Sequence, residues 1–419
     1  MTSDDSPAPA SEREVWSLSR KIALRAAVIY FGLSFIPEFF AIDLLLDPLR
    51  ALVAGRFWGL SELPSGEDTG SGDRLIDHVT LVMNILCAVG GTVIWSLLDR
   101  KRPNYRWGYE ALRVLLRYSL ALTLMSYGFS KLYQFPPISH ATMARPFGSE
   151  TPMGVLWNFM GSSPAYTAIS GVLEVLGGLL LLFRRTATLS ALVVVPVMLN
   201  VFLLNLCYDV PVKLMSFHLL LAAVVLTLPD VRRLIDVLVF NRATVPRELT
   251  PPLRYPYLRI GVLVMKWLLF AGTLRNGMDQ ALTQLKEFQA PRSALAGIWI
   301  VESFRQAGKE IEAVDLRKPL RWDLAIFDQT RSSNLRVSVD QIGGEQLIGT
   351  ASWPQKDSLQ LRFKGKPAQD WVCALNGDSL ELRGRLQGAP TEITLRRAVE
   401  EYPLMRHQIH WIQERPRTP

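Results

Sequence analysis

The chain has few of the residues that usually announce enzyme chemistry. Among 419 residues there are three cysteines, Cys87, Cys207 and Cys373, and five histidines. The cysteines lie far apart with no C-x-x-C pair, which excludes a cysteine zinc site and a self-contained dithiol redox motif. They read as buried or interfacial bystanders, with a Cys207–Cys373 bridge as the alternative if both face an oxidising compartment. No G-x-G-x-x-G stands between a strand and a helix, no histidine pair has haem spacing, and no metal-ligand cluster is visible. The opening MTSDDSPAPASERE lacks the positive n-region and short apolar core of a cleaved secretory signal. Residues 1–20 therefore read as a disordered cytoplasmic tail, and the first apolar segment is expected to remain as a true span.

Apolar residues are what the chain does hold. They make up 49% of it, and the mean hydropathy is +0.17. That is high for a soluble enzyme and low for a chain lying wholly in a membrane, so a bundle of spans joined to a soluble part is expected. The net charge of +8 falls in short clusters between apolar segments, which fits loop placement at a bilayer and excludes a nucleic-acid surface.

Seven segments are long enough to cross a bilayer, near 21–46, 75–98, 111–135, 164–183, 187–206, 213–228 and 257–274. Basic residues crowd the loop DRKRPNYRWGYEALR, the turn Arg184–Arg185 and the stretch from Arg232 to Arg259. The alternate loops 47–74, 136–163 and 207–212 are poorer in them. Positive-inside placement puts the amino terminus in the cytoplasm and, after an odd number of spans, the carboxyl-terminal part in the periplasm of a bacterial inner membrane.

From about residue 295 the texture changes to short alternating runs separated by turn residues. They are GIWIVESF, RWDLAIFD, NLRVSV, QLIGTASW, SLQLRF, WVCALN, SLELRGR and EITLRRA. Eight such runs in about a hundred residues predict an all-β antiparallel eight-stranded barrel over 295–398. A helical transmembrane domain over 21–274 and a linker helix over 275–294 precede it; a short helix and tail over 399–419 follow.

Polar residues inside the spans are the candidate chemistry. Glu174, in SGVLEVLGGLLLLFRR, lies about 15 Å from the outer end of its helix, near the midplane. Lys131, in YGFSKLYQF, lies about 6 Å deep and could reach Glu174 if their helices pack. His218, Asn200, Asn205, Glu38 and His78 also fall in the outer halves of their spans and are candidate ligand-binding groups. The inner halves are nearly all apolar apart from Arg25. A path for ions or protons needs polar groups across both halves, so a pump or channel is disfavoured and a pocket open to one side is expected. Structural alternatives stand beside each residue. Lys131 and His78 sit near an interface and could only snorkel, the asparagines could be helix–helix hydrogen bonds, and Lys266 could be structural. Glu174 must be neutral or paired with a cation, and Gly171, Gly177 and Gly178 beside it favour close helix packing.

At these residues the chain resembles the DoxX-like membrane proteins. Their signature is a span ending in Gly-x-x-Lys-Leu, here GFSKL at 128–132, then Leu-Glu-x-x-Gly-Gly-x-x-Leu-Leu and a basic turn, here LEVLGGLLLLFRR at 173–185. The resemblance covers about 110–240 and implies a four-helix core in which Gly128, Gly177, Gly178 and Arg185 are structural. It implies a link to quinone, thiol or oxidative-stress chemistry. By a more distant similarity to the transmembrane part of vitamin K-dependent carboxylases, Lys131 would act as a base toward a quinone or other isoprenoid, and Glu174 would set its charge. The barrel resembles the lipocalins, in which a Gly-x-Trp on the first strand lies beneath an arginine of the last. That implies Gly297, Trp299 and Arg396 or Arg397 as a structural set. The expected partners are the bilayer, a lipophilic small molecule and a membrane or periplasmic protein. The alternative reading is a non-catalytic membrane scaffold whose barrel binds a partner.

Overall fold

The computed structural model describes residues 15–40, 43–64, 71–135, 138–245, 256–289, 293–312, 320–329, 335–355 and 357–398. The expected helix and tail over 399–419 and most of the amino-terminal tail lie outside these. The chain divides into two compact units, Met1–Phe129 with Ser170–Gly277, and Ser130–Ile169 with Met278–Pro419.

The first unit is helical. Its elements are α1 (Leu18–Phe40), α2 (Asp47–Trp58), α3 (Leu75–Leu98), most of α4 (Arg106–Gln134) and of α7 (Pro164–Leu181), then α8 (Ala187–Cys207), α9 (Lys213–Thr227), α10 (Val231–Leu238) and the first part of α11 (Pro256–Gln289). Four stretches are long and apolar enough to cross a membrane: Leu75–Leu98, Pro164–Leu181, Ala187–Cys207 and Lys213–Leu238. Only 22% to 33% of the residues in these windows is buried. Helices this apolar and this exposed have their solvent in lipid, not in water.

The expected seven spans therefore exceed the four that meet this standard among the described residues. The other three expected segments carry charges within them: Lys21, Arg25 and Glu38 near 21–46, Arg113, Arg117 and Lys131 near 111–135, and Arg259 and Lys266 near 257–274. Helix α11 also runs unbroken to Gln289, so the expected linker helix is a continuation of the seventh segment. Helix α2 occupies part of the expected 47–74 loop. Its signals are a proline in the first turn, Pro48, and Gly59 at the end with φ +67°, a left-handed position that glycine fills without steric cost.

A basic latch ties the start of the unit together. Arg25 is buried, at 2% exposure. Its guanidinium donates to Ser96 Oγ at 2.7 Å, the Asp99 carbonyl at 2.9 Å and Tyr105 Oη at 2.5 Å. Tyr105 in turn donates to Asp99 Oδ2 at 2.8 Å. Arg25 thus joins α1 to the end of α3 and to the loop before α4. Trp16, within the expected disordered tail, is buried, and its backbone N–H donates to the Pro103 carbonyl.

The second unit holds α5 (His140–Ala144), α6 (Pro152–Ser162) and nine strands. The strands are β1 (Gly297–Gln306), β2 (Lys309–Glu310), β3 (Trp322–Asp328), β4 (Leu335–Gln341), β5 (Gln346–Gln355), β6 (Ser358–Phe363), β7 (Gln369–Asn376), β8 (Ser379–Leu386) and β9 (Ala389–Arg397). Each pairs antiparallel with the next around the sheet, β3 pairs with β1, and β1 closes on β9. Two-residue β2 only extends β1 beyond the turn, so the closed ring has eight strands, as expected. The eight anticipated runs all fall on its strands.

The ring interior is filled. Trp299, Trp322, Phe327, Val337, Leu361, Leu380 and Leu395 have 0% exposure and belong to one continuous apolar cluster. Cys373 lies in this core and Cys207 is exposed, and both are free thiols. The Cys207–Cys373 bridge weighed as an alternative is absent.

Of the two arginines expected beneath the Gly-x-Trp, one reaches the ring. Trp299 donates from Nε1 to the Leu295 carbonyl at 2.8 Å, and the Arg397 guanidinium sits 4.5 Å from its ring centre. Arg397 also donates to the Ala296 and Ala294 carbonyls. The stacking residue is Arg397, not Arg396. Register explains why: Arg397 pairs with Trp299 across β1 and β9, whereas Arg396 pairs with Ile300. Directly opposed residues share a face, so Arg396 points outward, where it meets Glu302. Gly297 has φ +145°, and a Cβ there would lie 2.9 Å from Arg397 Nη1, so glycine clears the way for the guanidinium.

Candidate functional site

Glu174 sits on α7 at 3% exposure. Residues 171, 174, 175 and 178 recur at helical spacing and share one face. That face approaches α4 to backbone contact. A Cβ on Gly128 would lie 2.6 Å from the Gly171 carbonyl oxygen, and one on Gly178 would lie 2.7 Å from the Ala121 carbonyl oxygen. Along α7, Glu174 lies between these two close approaches to α4. The neighbouring Gly177 faces α8: a Cβ would meet a Val194 methyl at 2.6 Å, and its carbonyl accepts from Ser190 Oγ at 2.6 Å. Gly128, Gly177 and Gly178 thus stand where helices approach closely, the usual setting of small residues at a membrane helix interface.

This geometry gives a direct expectation. Gly128→Val should cost about 1–3 kcal/mol, because the added methyls meet backbone that cannot yield. Gly90→Val is the control, since nothing lies within 4 Å of a Cβ there. Thermal unfolding of the two variants in the same detergent distinguishes them, and equal midpoints would refute the close-contact argument.

Lys131 lies in the last turn of α4, three residues beyond Gly128 along the same stripe. It belongs to the second compact unit and Glu174 to the first. Asn205 is buried at 8%, and Asn200 is exposed on α8. His78 stands in the first turn of α3, with Nδ1 3.0 Å from the Arg74 carbonyl. Glu38 lies on α1, and its side chain is outside the described residues. Arg185 is exposed in the turn between α7 and α8.

His218 has partners that the sequence did not disclose. Its Nδ1 lies 2.6 Å from the Leu214 carbonyl, and its Nε2 lies 2.7 Å from Tyr30 Oη. A carbonyl only accepts, so Nδ1 carries the proton, and in the neutral ring Nε2 accepts from the Tyr30 hydroxyl. The two rings stack with 5.8 Å between centres and 8° between planes. One turn along α1, Ser34 Oγ donates to the Tyr30 carbonyl and lies 3.4 Å from Asn84 Nδ2. Asn84 is 4% exposed, and its Oδ1 is buried with no hydrogen-bond partner among the described residues. Tyr30, Ser34, Asn84 and His218 thus line up between α1, α3 and α9. A hydroxyl-bearing aromatic in mid-helix was the available signal for Tyr30.

No group of three or more metal-ligating side chains occurs among the described residues. The site's chemistry is hydrogen bonding and one buried carboxylate.

Comparison with known proteins adds one relative. The uncharacterized protein YwoB of Bacillus subtilis (strain 168) is 29% identical over 130 residues, which covers 30% of this chain and 82% of that protein. No protein-family model and no solved structure matches the chain.

Proposed function

We propose that this is a DoxX-like membrane protein whose helical unit binds a lipid-soluble or amphipathic molecule, of quinone or other isoprenoid type. Glu174 is the polar core of the pocket, with Tyr30, Asn84, Asn205 and His218 as further hydrogen-bonding groups of the same unit. The observation that carries the reading is Glu174 itself, a carboxylate at 3% exposure on the tightest face of α7. A carboxylate within a span costs about 2.5–3.5 kcal/mol or more, so its presence at depth marks a working group by default. In this reading the protein lies in a bacterial inner membrane with its amino terminus in the cytoplasm. The barrel lies on the periplasmic side, and its filled interior carries no ligand. That same filled interior favours the second reading, in which the bundle is a scaffold and the outer surface of the barrel binds a protein.

Mass spectrometry of small molecules co-purified in mild detergent separates the two. Under the first reading, the wild type holds a stoichiometric isoprenoid and Glu174→Gln loses it at least tenfold. Glu174→Met, which puts an apolar side chain in place of the buried carboxylate, keeps the fold and loses the molecule as well. Retention of cellular function in that variant, with only bulk phospholipid bound to the wild type, sinks the pocket and leaves the scaffold.

A further inference from the structure

Four cations, Arg113, Arg117, Arg184 and Lys266, gather where α7 ends. Arg117 on α4 is 4% exposed, and its Nε and Nη2 both donate to the Leu181 carbonyl at 3.0 and 2.8 Å. That carbonyl closes α7, where the helix dipole is negative. Arg113 stands one turn before Arg117, and Arg184 follows α7. Both are near enough to repel Arg117, and Arg117 in turn repels Lys266 on α11. Glu110 offsets part of this charge through a 3.6 Å pair with Arg113. Neither Arg117 nor Lys266 forms a salt bridge among the described residues, and Arg113 Nε is buried without a hydrogen-bond partner.

The wall beside these cations is aromatic and open. The Lys266 ammonium lies 4.3 Å from the Phe183 ring centre and 4.8 Å from that of Trp267. The two rings meet edge to face at 6.2 Å and are 47% and 42% exposed. Beyond them α11 presents Leu263, Val264 and Leu268, all exposed. Gathered cations call for an anion, and an apolar surround excludes one that is wholly water-soluble. Aromatic residues and cations at one level also mark the headgroup region of a bilayer.

We propose that Arg113, Arg117, Arg184 and Lys266 hold the phosphate of an anionic phospholipid whose acyl chains lie along the exposed apolar face of α11. Basic recesses between membrane helices recognise acidic headgroups in this way. The site stands at the opposite end of α7 from Gly171 and does not depend on the isoprenoid reading.

Native mass spectrometry of the full chain, titrated with phosphatidylglycerol or phosphatidylcholine, tests it. The wild type is expected to retain phosphatidylglycerol at least tenfold better. Lys266→Gln combined with Arg113→Gln should lower that retention by about 25-fold, roughly fivefold for each cation removed. Lys266→Arg should keep it, and Arg232→Gln, an exposed cation elsewhere, should leave it unchanged. Equal retention of the two lipids by the wild type overturns the proposal, and needs no variant to fold. A loss in Arg232→Gln as large as in the double variant overturns it too, by showing only general surface charge.

Discussion

Trp299→Ala is expected to destabilise the barrel by about 3–5 kcal/mol, the usual cost of emptying a buried aromatic site. The mechanism has three parts. The ring is fully buried, its Nε1 holds the Leu295 carbonyl, and its face supports the Arg397 guanidinium. Arg397→Lys should cost less, about 1–3 kcal/mol. It keeps the charge but loses the planar fork that reaches the Ala294 and Ala296 carbonyls together. Pulse proteolysis of the full chain across a urea series, read on peptides of β1 and β9, measures both. A Trp299→Ala variant within 1 kcal/mol of wild type would show that the ring fills space without organising the end of the barrel. Arg396→Ala, outside the ring, should stay within about 0.5 kcal/mol.

The second large effect concerns Asp328, at the end of β3. It is 4% exposed and accepts the backbone N–H groups of His140 at 3.0 Å and Ala141 at 2.8 Å, capping α5 from outside the helix. His140 Nδ1 lies a further 3.4 Å away. Burial pushes the carboxyl pKa up. Hydrogen bonds from the His140 ring, the Ala141 amide, the Ser139 hydroxyl and the His140 amide outweigh that and hold it below the ordinary value. A lowered folded-state pKa makes the contribution complete above the unfolded value of about 3.9, and the contribution is lost as pH falls through the folded value. Asp328→Ala removes two charge-assisted bonds of about 1.5–3 kcal/mol each and orphans their donors. Hydrogen exchange at residues 139–144 should therefore quicken about a hundredfold or more near neutral pH. The wild type should show the same release only on acidification below about pH 4, whereas Asp328→Ala should have no such acid limb. Unchanged exchange in the variant would mean that α5 is held by its packing alone.

The barrel was legible because strand alternation is a local property. SLELRGR shows its inward leucines without help from any other segment, and β8 buries Leu380, Leu382 and Leu386 as that pattern requires. Span α3 was legible for a similar reason, being almost wholly apolar from Ile85 to Leu98. What stayed hidden depends on residues distant in sequence. Tyr30 meets His218 across 188 positions, and no local spacing could join them. Asp328 and His140 are as far apart, so the loop after α4 gave no sign that α5 would be capped by a strand residue. Arg396 and Arg397 adjoin, and only the β1–β9 register separates their faces. For Glu174, the glycine spacing foretold the tight contact with α4, while the purpose of the carboxylate rests on the proposal above.

Closure of the ring through β1 and β9 also sets an order of events during synthesis. The first strand begins at Gly297 and its partner ends at Arg397, so nearly the whole barrel must emerge before β1 gains its second neighbour. Until then the growing sheet has two unpaired edges, the kind of surface that recruits other strands. A ribosome stalling within β9, or a frameshift near Gly388, would leave both edges permanently open. Such products should be found in aggregates or with proteases, not as shortened working protein.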